Sequence, residues 1–472
     1  MRCVAPSLAT MLAIVAAVCA AVAAGLAAGG QNHAVTYMLA VLETALVAWL
    51  AALSWSRERG WARSGVICAL AWIPTFLIAS WIYAVNPSLL DVGPPNGAIA
   101  TVDLSLVCFI AGYAWVARAS AAGAVAPYVS VREATLRPRS VIAWVAVGCL
   151  GFAVIFAVTG GPVHFIDSVS HEGSLTRGRT YFIAMALALV FVAQVAACVR
   201  WSRGARLSRR LILVLLLALG LSATLGSRQL IAVPIVELVL YYALVRRRIS
   251  VRVGLPVLLA GALVIVVGLG MVKRYGNYLQ LHPGTRISRL DFFVTKGPGD
   301  FASSYAGNSA DGVRLIALGE RTVPRLAPPE YGKEALRLLL QPLPSGIRPK
   351  VPTAPAIQAA IYPSPVLSYA QPLQLVSYLQ FLYPGVVLAF LILGAATGRL
   401  EQALASVSVR RRPSTLLVLV AVTVQVVTVL RSASAGALAV ALIEVFGLWA
   451  VARSTERVVE DRAEVYPAAA AS

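Results

Sequence analysis

Long apolar runs, separated by short polar connectors, occupy most of the chain. Each run is about 17–25 residues long, the length that an α-helix needs to cross a bilayer. The runs lack the polar alternation of a membrane-barrel strand, so helices are expected rather than strands. The pattern predicts twelve spans, at residues 7–28, 34–55, 65–85, 99–117, 140–160, 180–199, 211–226, 229–245, 253–272, 375–397, 414–430 and 436–452.

One long polar segment interrupts this pattern late in the chain. Residues 273–374 carry 12 Lys/Arg and 6 Asp/Glu, together with many of the prolines. The sequence therefore predicts an all-α, polytopic membrane protein in four parts: nine helices over 1–272, an extracytoplasmic loop over 273–374, three closing helices over 375–452 and a cytoplasmic tail over 453–472. Loops of this length are uncommon unless they are functional.

The distribution of basic residues predicts the orientation. If both termini are cytoplasmic, 24 Lys/Arg lie in cytoplasmic segments and only 4 lie in the short outer loops. Positive residues favour the cytoplasmic side, and loops longer than about 60 residues are exempt from this rule. Both termini are thus expected inside and the long loop outside. The net charge of +20 follows mainly from topology, and the scattered basic runs do not resemble a nucleic-acid-binding surface.

The cytoplasmic segments exclude several classes of enzyme. Neither the connector 118–139 nor the tail 453–472 is long enough for a nucleotide-binding domain, and no Walker or G-x-G-x-x-G pattern occurs. The six cysteines show no Cys/His spacing typical of a metal site. We therefore expect no cofactor and no metal, and a substrate that is already in the membrane or beyond it.

Two amphipathic helices are predicted within the long loop, over Ser309 to Arg325 and over Lys333 to Gln341. Such helices often lie on a bilayer surface with the apolar side down. That orientation would hold a row of basic residues near lipid phosphates: Arg314, Arg321, Arg337, Arg348 and Lys350. The alternative is that the apolar faces pack against the membrane helices.

Two short hairpins each have a single arginine at an outer turn. The first turn reads Gly226-Ser-Arg228-Gln229, and the second begins at Leu430-Arg431. A guanidinium group just below the headgroups can bind a phosphate through two parallel hydrogen bonds. We therefore predict phosphate binding by Arg228 and Arg431, with a simple interfacial anchor as the alternative.

The outer loop between the fifth and sixth spans concentrates polar chemistry in a few residues. His171 lies next to Glu172 and close to Arg177 and Arg179. Because histidine is the usual general base near neutral pH, we predict His171 as the base and the two arginines as anion-binding residues. Asp311 in the long loop is the second candidate for the base. The alternative is a solvated loop without a catalytic role.

The long loop and the return into the membrane carry a family resemblance. Tyr331-Gly332, Leu338 to Leu340 and Pro342 to Pro352, followed by Tyr378 to Gly398, resemble bacterial oligosaccharide repeat-unit (O-antigen) polymerases and the related ligases. The turn Gly226-Ser-Arg is also similar to a short turn of that family. An acidic residue often precedes the returning span in the family, whereas this chain has Gln371 and Gln374 there.

The resemblance implies a GT-C-like, metal-independent membrane glycosyltransferase in the bacterial cytoplasmic membrane. Its substrate would be a polyprenyl-diphosphate-linked glycan, and its partners would be membrane lipid and other envelope polysaccharide assembly proteins. A ligase that passes a finished glycan to another acceptor would look similar. A glycolipid flippase or proton-coupled transporter is a further alternative, because four acids lie within spans: Glu43, Asp103, Glu237 and Glu444. A non-catalytic scaffold is the last alternative.

Overall fold

The computed structural model describes residues 33–54, 63–85, 95–120, 134–161, 180–223, 229–246, 291–292, 295, 312–340, 343, 347–361, 371–406 and 413–458. Within these ranges the α-helices, numbered in chain order, are α1 His33–Ser54, α2 Ser64–Trp72, α3 Ile78–Val85, α4 Asn96–Ser120, α5 Pro138–Thr159, α6 Thr180–Ser202, α7 Arg209–Ala223, α8 Gln229–Arg246, α9 at residues 312–322, α10 Lys333–Leu340, α11 Pro355–Ile361, α12 Leu373–Ser406, α13 Pro413–Arg431 and α14 Ala435–Thr455. A π-helix, Ile73–Leu77, joins α2 to α3. Two short strands, β1 Ala134–Leu136 and β2 Glu456–Val458, pair antiparallel.

The predicted spans coincide with the helices wherever the structure describes them. Ten of the twelve apolar runs fall on helices, while 7–28 and 253–272 lie outside the described residues. Eight helical segments in the described part are long and apolar enough to cross a membrane, and a further apolar helix over Leu230–Val245 is shorter. The prediction of a helical membrane protein is confirmed, and the total of twelve spans stays a prediction.

Helix ends follow local sequence signals. α5 has Pro138 in its first turn, where the missing N–H has no intrahelical partner to lose. It ends before Gly160, whose φ of 84° is left-handed, a conformation that glycine adopts without steric cost. α14 begins after Ser434, whose side chain accepts a hydrogen bond from the backbone N–H of Ala437 at 3.4 Å.

The buried apolar side chains form two main clusters. The first joins α1, α2, α3, α4 and α12 and also takes in α9 and α11 from the long loop. The second joins α5, α6, α8, α13 and α14. Part of the long loop is therefore built into the core of the first cluster.

Within the first cluster, α4 and α12 approach each other closely. A Cβ atom on Gly112 would overlap the backbone of Leu391, and one on Gly394 would overlap the backbone of Phe109. The two backbones are thus in direct contact, as small residues allow at helix crossings in membranes.

The two ends of the bundle are chemically distinct. At one end Arg63 forms an ion pair with Glu401, which also accepts a hydrogen bond from the Tyr113 hydroxyl at 2.5 Å. At the other end Thr101 of α4 contacts Glu320 of the long loop. Because α4 runs from the second end to the first, the long loop covers the end opposite to Arg63.

Three of the four acids within spans are hydrogen-bonded inside the bundle. Glu43 accepts from the indole N–H of Trp72 at 3.1 Å, and Glu237 accepts from the Gln194 amide at 2.7 Å. Glu444 accepts from the Gln425 amide. These contacts agree with a structural role for the three residues.

Candidate functional site

The long loop meets the bundle where four of the predicted site residues lie. Arg314 is on α9, Arg348 and Lys350 are on the segment before α11, and Arg431 is the last residue of α13. The other five, His171, Arg177, Arg179, Arg228 and Asp311, lie outside the described residues.

α9 is packed into the bundle rather than laid on a surface. Val313 and Ile316 are completely buried, and Leu315 is almost so. The expectation that this helix rests on the bilayer is therefore wrong, and the alternative of packing against the membrane helices is correct. The half-buried Arg314 is on the same helix.

Glu320, near the end of α9, connects the long loop to two membrane helices. Its Oε1 accepts a hydrogen bond from the Thr101 hydroxyl at 2.5 Å and one from the Tyr383 hydroxyl at 3.5 Å. Burial raises the pKa of Glu320 to about 7, although both hydrogen bonds lower it. A carboxyl group that titrates near neutral pH is suited to proton transfer.

The returning helix α12 is broken close to Glu320. Phe381 and Leu382 have non-helical backbone angles, and Leu382 has a positive φ of 57°. Pro384 lies two residues after Leu382 and cannot donate a helical hydrogen bond. The break gives α12 a short first part, residues 373–380, and a long second part.

Backbone N–H groups of the long loop donate hydrogen bonds to the carbonyl groups that this break leaves without helical partners. The N–H of Glu330 donates to the Leu379 carbonyl at 2.8 Å, and the N–H of Tyr331 donates to the Gln380 carbonyl at 3.2 Å. Irregular backbone within a membrane protein persists where protein covers it. The turn at Tyr331 and Gly332, with φ of 44° and 84°, is thus joined to the broken helix.

A charged cluster fixes α10 beside the same break. Arg337 donates two hydrogen bonds to the carboxylate of Glu330, both at 2.9 Å, and one to Glu334 at 2.6 Å. Its Nε donates to the Val351 carbonyl at 3.2 Å. The hydrogen bonds to Glu330 raise the pKa of Arg337 further above its usual range. Arg337 is occupied by protein partners and is not free to bind phosphate.

The hairpin of Arg431 is joined to this cluster. Glu334 accepts a hydrogen bond from the N–H of Ala435 at 2.6 Å, at the start of α14. The N–H of Ala433 donates to the Gln371 carbonyl at 2.8 Å, just before α12. The exposed Arg431 therefore lies at a turn that contacts both the long loop and the returning span.

Arg348 and Lys350 lie on the extended segment that leads to α11. Arg348 donates through Nε and Nη2 to the Leu343 carbonyl, at 3.2 and 2.9 Å, while Lys350 is exposed. α10 exposes Leu336 and Leu339, in line with the expected interfacial orientation of that helix.

Sequence reasoning did not single out Glu320, Tyr383 or Gln380 as a connected group. Gln380 donates to Glu330 at 3.1 Å, and Tyr383 donates to Glu320. The available signal was Pro384-Gly385 within an apolar run, because this pair marks a helix break. The acidic partners are 50 and 63 residues away in sequence, and no local pattern indicates such contacts.

The described residues contain no group of three or more His, Cys, Asp or Glu that could hold a metal ion. The fold and this end of the bundle define a helical membrane protein with a structured polar loop. Comparisons with protein-family models, curated proteins and solved structures found no match for this chain.

Proposed function

We propose that this protein is a membrane glycosyltransferase that polymerises polyprenyl-diphosphate-linked oligosaccharide repeat units. It would act at the outer face of the bacterial cytoplasmic membrane, with both termini inside. The observation that supports this proposal best is the joining of the long loop, the broken returning helix and the Arg431 turn at one end of the bundle. A cluster of fixed polar groups at one end of a membrane bundle is the arrangement that binding of a lipid diphosphate would require.

The donor would be the growing chain on its polyprenyl diphosphate. A hydroxyl of the incoming unit attacks the anomeric carbon, the bond from that carbon to the diphosphate oxygen breaks, and the diphosphate leaves with the electron pair. Positive groups fixed around a departing diphosphate lower the barrier by stabilising its developing charge. Arg431 and Arg228 are proposed for this role, with Arg177, Arg179, Arg314, Arg348 and Lys350 as further contacts along the glycan lipid.

The attacking hydroxyl must lose its proton as the new bond forms. His171 is the proposed base, and Asp311 is the second candidate from the sequence. Glu320 becomes a third candidate, because its carboxyl group has a pKa of about 7 and lies between the long loop and two membrane helices.

Chain extension by the purified protein is the decisive test. The full-length protein in lipid nanodiscs is given polyprenyl-diphosphate-linked oligosaccharides isolated from cells in which its gene is deleted. A ladder of longer lipid-linked glycans supports the polymerase. Transfer only to an added lipid or protein acceptor supports the ligase instead. Failure of both reactions, with correctly folded protein and bound substrate, contradicts glycosyl transfer.

A further inference from the structure

Exposed arginines surround the β1–β2 ribbon, at the end of the bundle opposite to the long loop. α14 starts at Ala435 beside the long loop and leads into β2 at the other end, where β2 pairs with β1. None of the arginines on the ribbon and on the helix ends next to it forms an ion pair with a described residue. Nine of them are exposed: Arg137, Arg139, Arg200, Arg203, Arg206, Arg209, Arg210, Arg453 and Arg457.

The acidic side chains described at this end are buried and already bonded. Glu401 forms its ion pair with Arg63. Glu456 accepts hydrogen bonds from the hydroxyl and the backbone N–H of Ser414. The described surface around the ribbon therefore carries positive charge without an exposed carboxylate beside it. Such a surface attracts anionic ligands.

Two of the arginines are fixed at the corner between α6 and α7, residues 200–206. Arg203 donates through Nε and Nη2 to the Ala134 carbonyl, at 2.8 and 2.5 Å. Arg200 donates through Nε to the Arg206 carbonyl at 3.1 Å. Both Nη groups of Arg200 and Nη1 of Arg203 make no hydrogen bond to a described residue. The two guanidinium groups are thus held in place and can still bind a ligand.

The turn that ends α6 brings these two arginines together. Gly204 has a left-handed φ of 78°, and its N–H donates to the Trp201 carbonyl at 3.0 Å. The N–H of Ala205 donates to the Arg200 carbonyl at 3.1 Å, which completes a Schellman turn. Arg200 and Arg203 are three residues apart and so are neighbours on this last turn. Two like charges at this spacing cost stability unless an anion binds between them.

Exposed tryptophans indicate that this end of the bundle lies near the polar headgroups. Trp449 of α14 is 50% exposed and lies one turn before Arg453, and Trp115, near the end of α4, is 78% exposed. Tryptophan is enriched where membrane helices cross the interface between lipid and water. The exposed arginines follow the tryptophans toward the water, at the level where lipid phosphates are expected.

We propose that the corner between α6 and α7 binds one anionic phospholipid, whose phosphate contacts Arg200 and Arg203. The two Nη groups of Arg200 supply the parallel hydrogen bonds that fit a phosphate, and Nη1 of Arg203 supplies a third. Basic sites at the ends of membrane helices bind anionic lipid headgroups in this way. The site is at the end opposite to the proposed catalytic end and does not depend on glycosyl transfer.

The beginning of α7 favours a lipid over a soluble phosphate. Arg209 and Arg210 are the first residues of this helix, and a row of exposed apolar side chains follows them. Ile212, Leu213 and Leu216 are 42%, 58% and 60% exposed. A headgroup held at the corner would therefore have acyl chains running along an apolar face. The bound lipid would also join α7 to the ribbon, since Arg203 is already attached to β1.

The test titrates the full-length protein, purified in detergent and freed of lipid, with dioleoylphosphatidylglycerol. Native mass spectrometry measures how many lipids bind and how tightly, and dioleoylphosphatidylcholine is the comparison lipid. One phosphatidylglycerol should bind about tenfold more tightly than phosphatidylcholine, as expected for one charge-assisted contact. Arg200→Ala and Arg203→Ala should each remove this preference. Arg200→Lys should lose most of it, because lysine keeps the charge but lacks the fork.

Arg139→Ala is the matched control, because this exposed arginine is at the same end and has no hydrogen-bonded guanidinium group among the described residues. It should keep the preference. Equal losses in Arg139→Ala and Arg200→Ala would show general attraction to a positive surface and overturn the site. A preference that is absent in the wild type, or unchanged in Arg200→Ala, would do the same even if Arg203→Ala fails to fold. Inorganic phosphate that displaces the phosphatidylglycerol at equal concentration would assign the corner to a soluble anion instead.

Discussion

Arg337 binds both carboxylate oxygens of Glu330, with each nitrogen–oxygen distance 2.9 Å. Glu330 is almost completely buried, and Arg337 is 18% exposed. Because Glu330 also donates its backbone N–H to Leu379, this pair connects α10 to the break in α12. The contact is therefore a main attachment of the long loop to the bundle.

Removing this pair should release the loop. Arg337→Ala leaves a buried carboxylate without its partner, which is expected to destabilise the docked loop by about 3 kcal/mol. Limited proteolysis between α10 and α11 and thermal unfolding measure the effect. Arg337→Lys should lose part of the stability, because lysine cannot form the two parallel bonds.

Arg321→Ala is the matched control, since this exposed arginine is on the neighbouring helix and should be nearly neutral. Equal protease resistance of the Arg337→Ala variant and the wild type would contradict the attachment.

Glu320 should make the stability of the loop depend on pH. Its pKa rises from an ordinary 4.5 to about 7 in the folded protein, so the folded state binds the proton more tightly. Stability is therefore full below pH 4.5 and falls as the pH rises through 7, by at most about 3 kcal/mol. Glu320→Gln should abolish this part of the pH dependence. A pH profile unchanged by Glu320→Gln would show that the carboxyl group titrates normally.

The leaving-group assignment predicts sensitivity to side-chain geometry. Arg431→Lys keeps the charge but cannot form a bidentate contact with a phosphate. Losing one charge-assisted contact of about 2–3 kcal/mol should slow chain extension on the order of 100-fold, and the same holds for Arg228→Lys. Arg453→Lys, at the opposite end of the bundle, is the control. Full activity in Arg431→Ala at normal protein levels would favour the anchor alternative.

The general base can be identified by three substitutions. If His171 is the base, His171→Ala abolishes chain extension but leaves binding of the lipid-linked donor intact. Normal activity of that variant, with loss of activity in Asp311→Asn or Glu320→Gln, would move the base to the long loop. Glu320 would be supported further if the activity of the wild type rises with pH around 7, since only the ionised form accepts a proton.

Topology can be tested by cysteine labelling in a variant without the six native cysteines. Cysteines at Asn308 and Tyr331 should react with an impermeant reagent from outside. Cysteines at Arg206, Arg247 and Arg411 should react only from inside. Tyr331 is 69% exposed, so protection of that position from outside would contradict the orientation.

The membrane helices could be predicted because they depend on local composition. A window of about twenty apolar residues identifies a span without knowledge of its neighbours, and α4, α6 and α13 are found where the apolar runs predicted them. The amphipathic pattern of α9 also predicted a helix. It did not distinguish a bilayer surface from a protein surface, because both accept the same apolar face.

The contacts at the candidate site could not be predicted in this way. Thr101 and Glu320 are 219 residues apart, and neither has a local signal for the other. Arg337 was grouped with residues facing lipid phosphates, because an arginine on an amphipathic helix has the same pattern in both situations. Only the fold shows that Glu330 and Glu334 occupy it.

The backbone contact at Gly112 and Gly394 limits how this protein can move. The backbones of α4 and of the long second part of α12 are in direct contact. We therefore expect these two helices to move together as one rigid unit. Separating them would open a void that no side chain could fill. If the proposed lipid-linked substrate enters at this end, we expect the short first part of α12, residues 373–380, to move about the break at Phe381 and Leu382 while α4 stays on the second part. The long loop is attached to this first part of α12 and would then move with it.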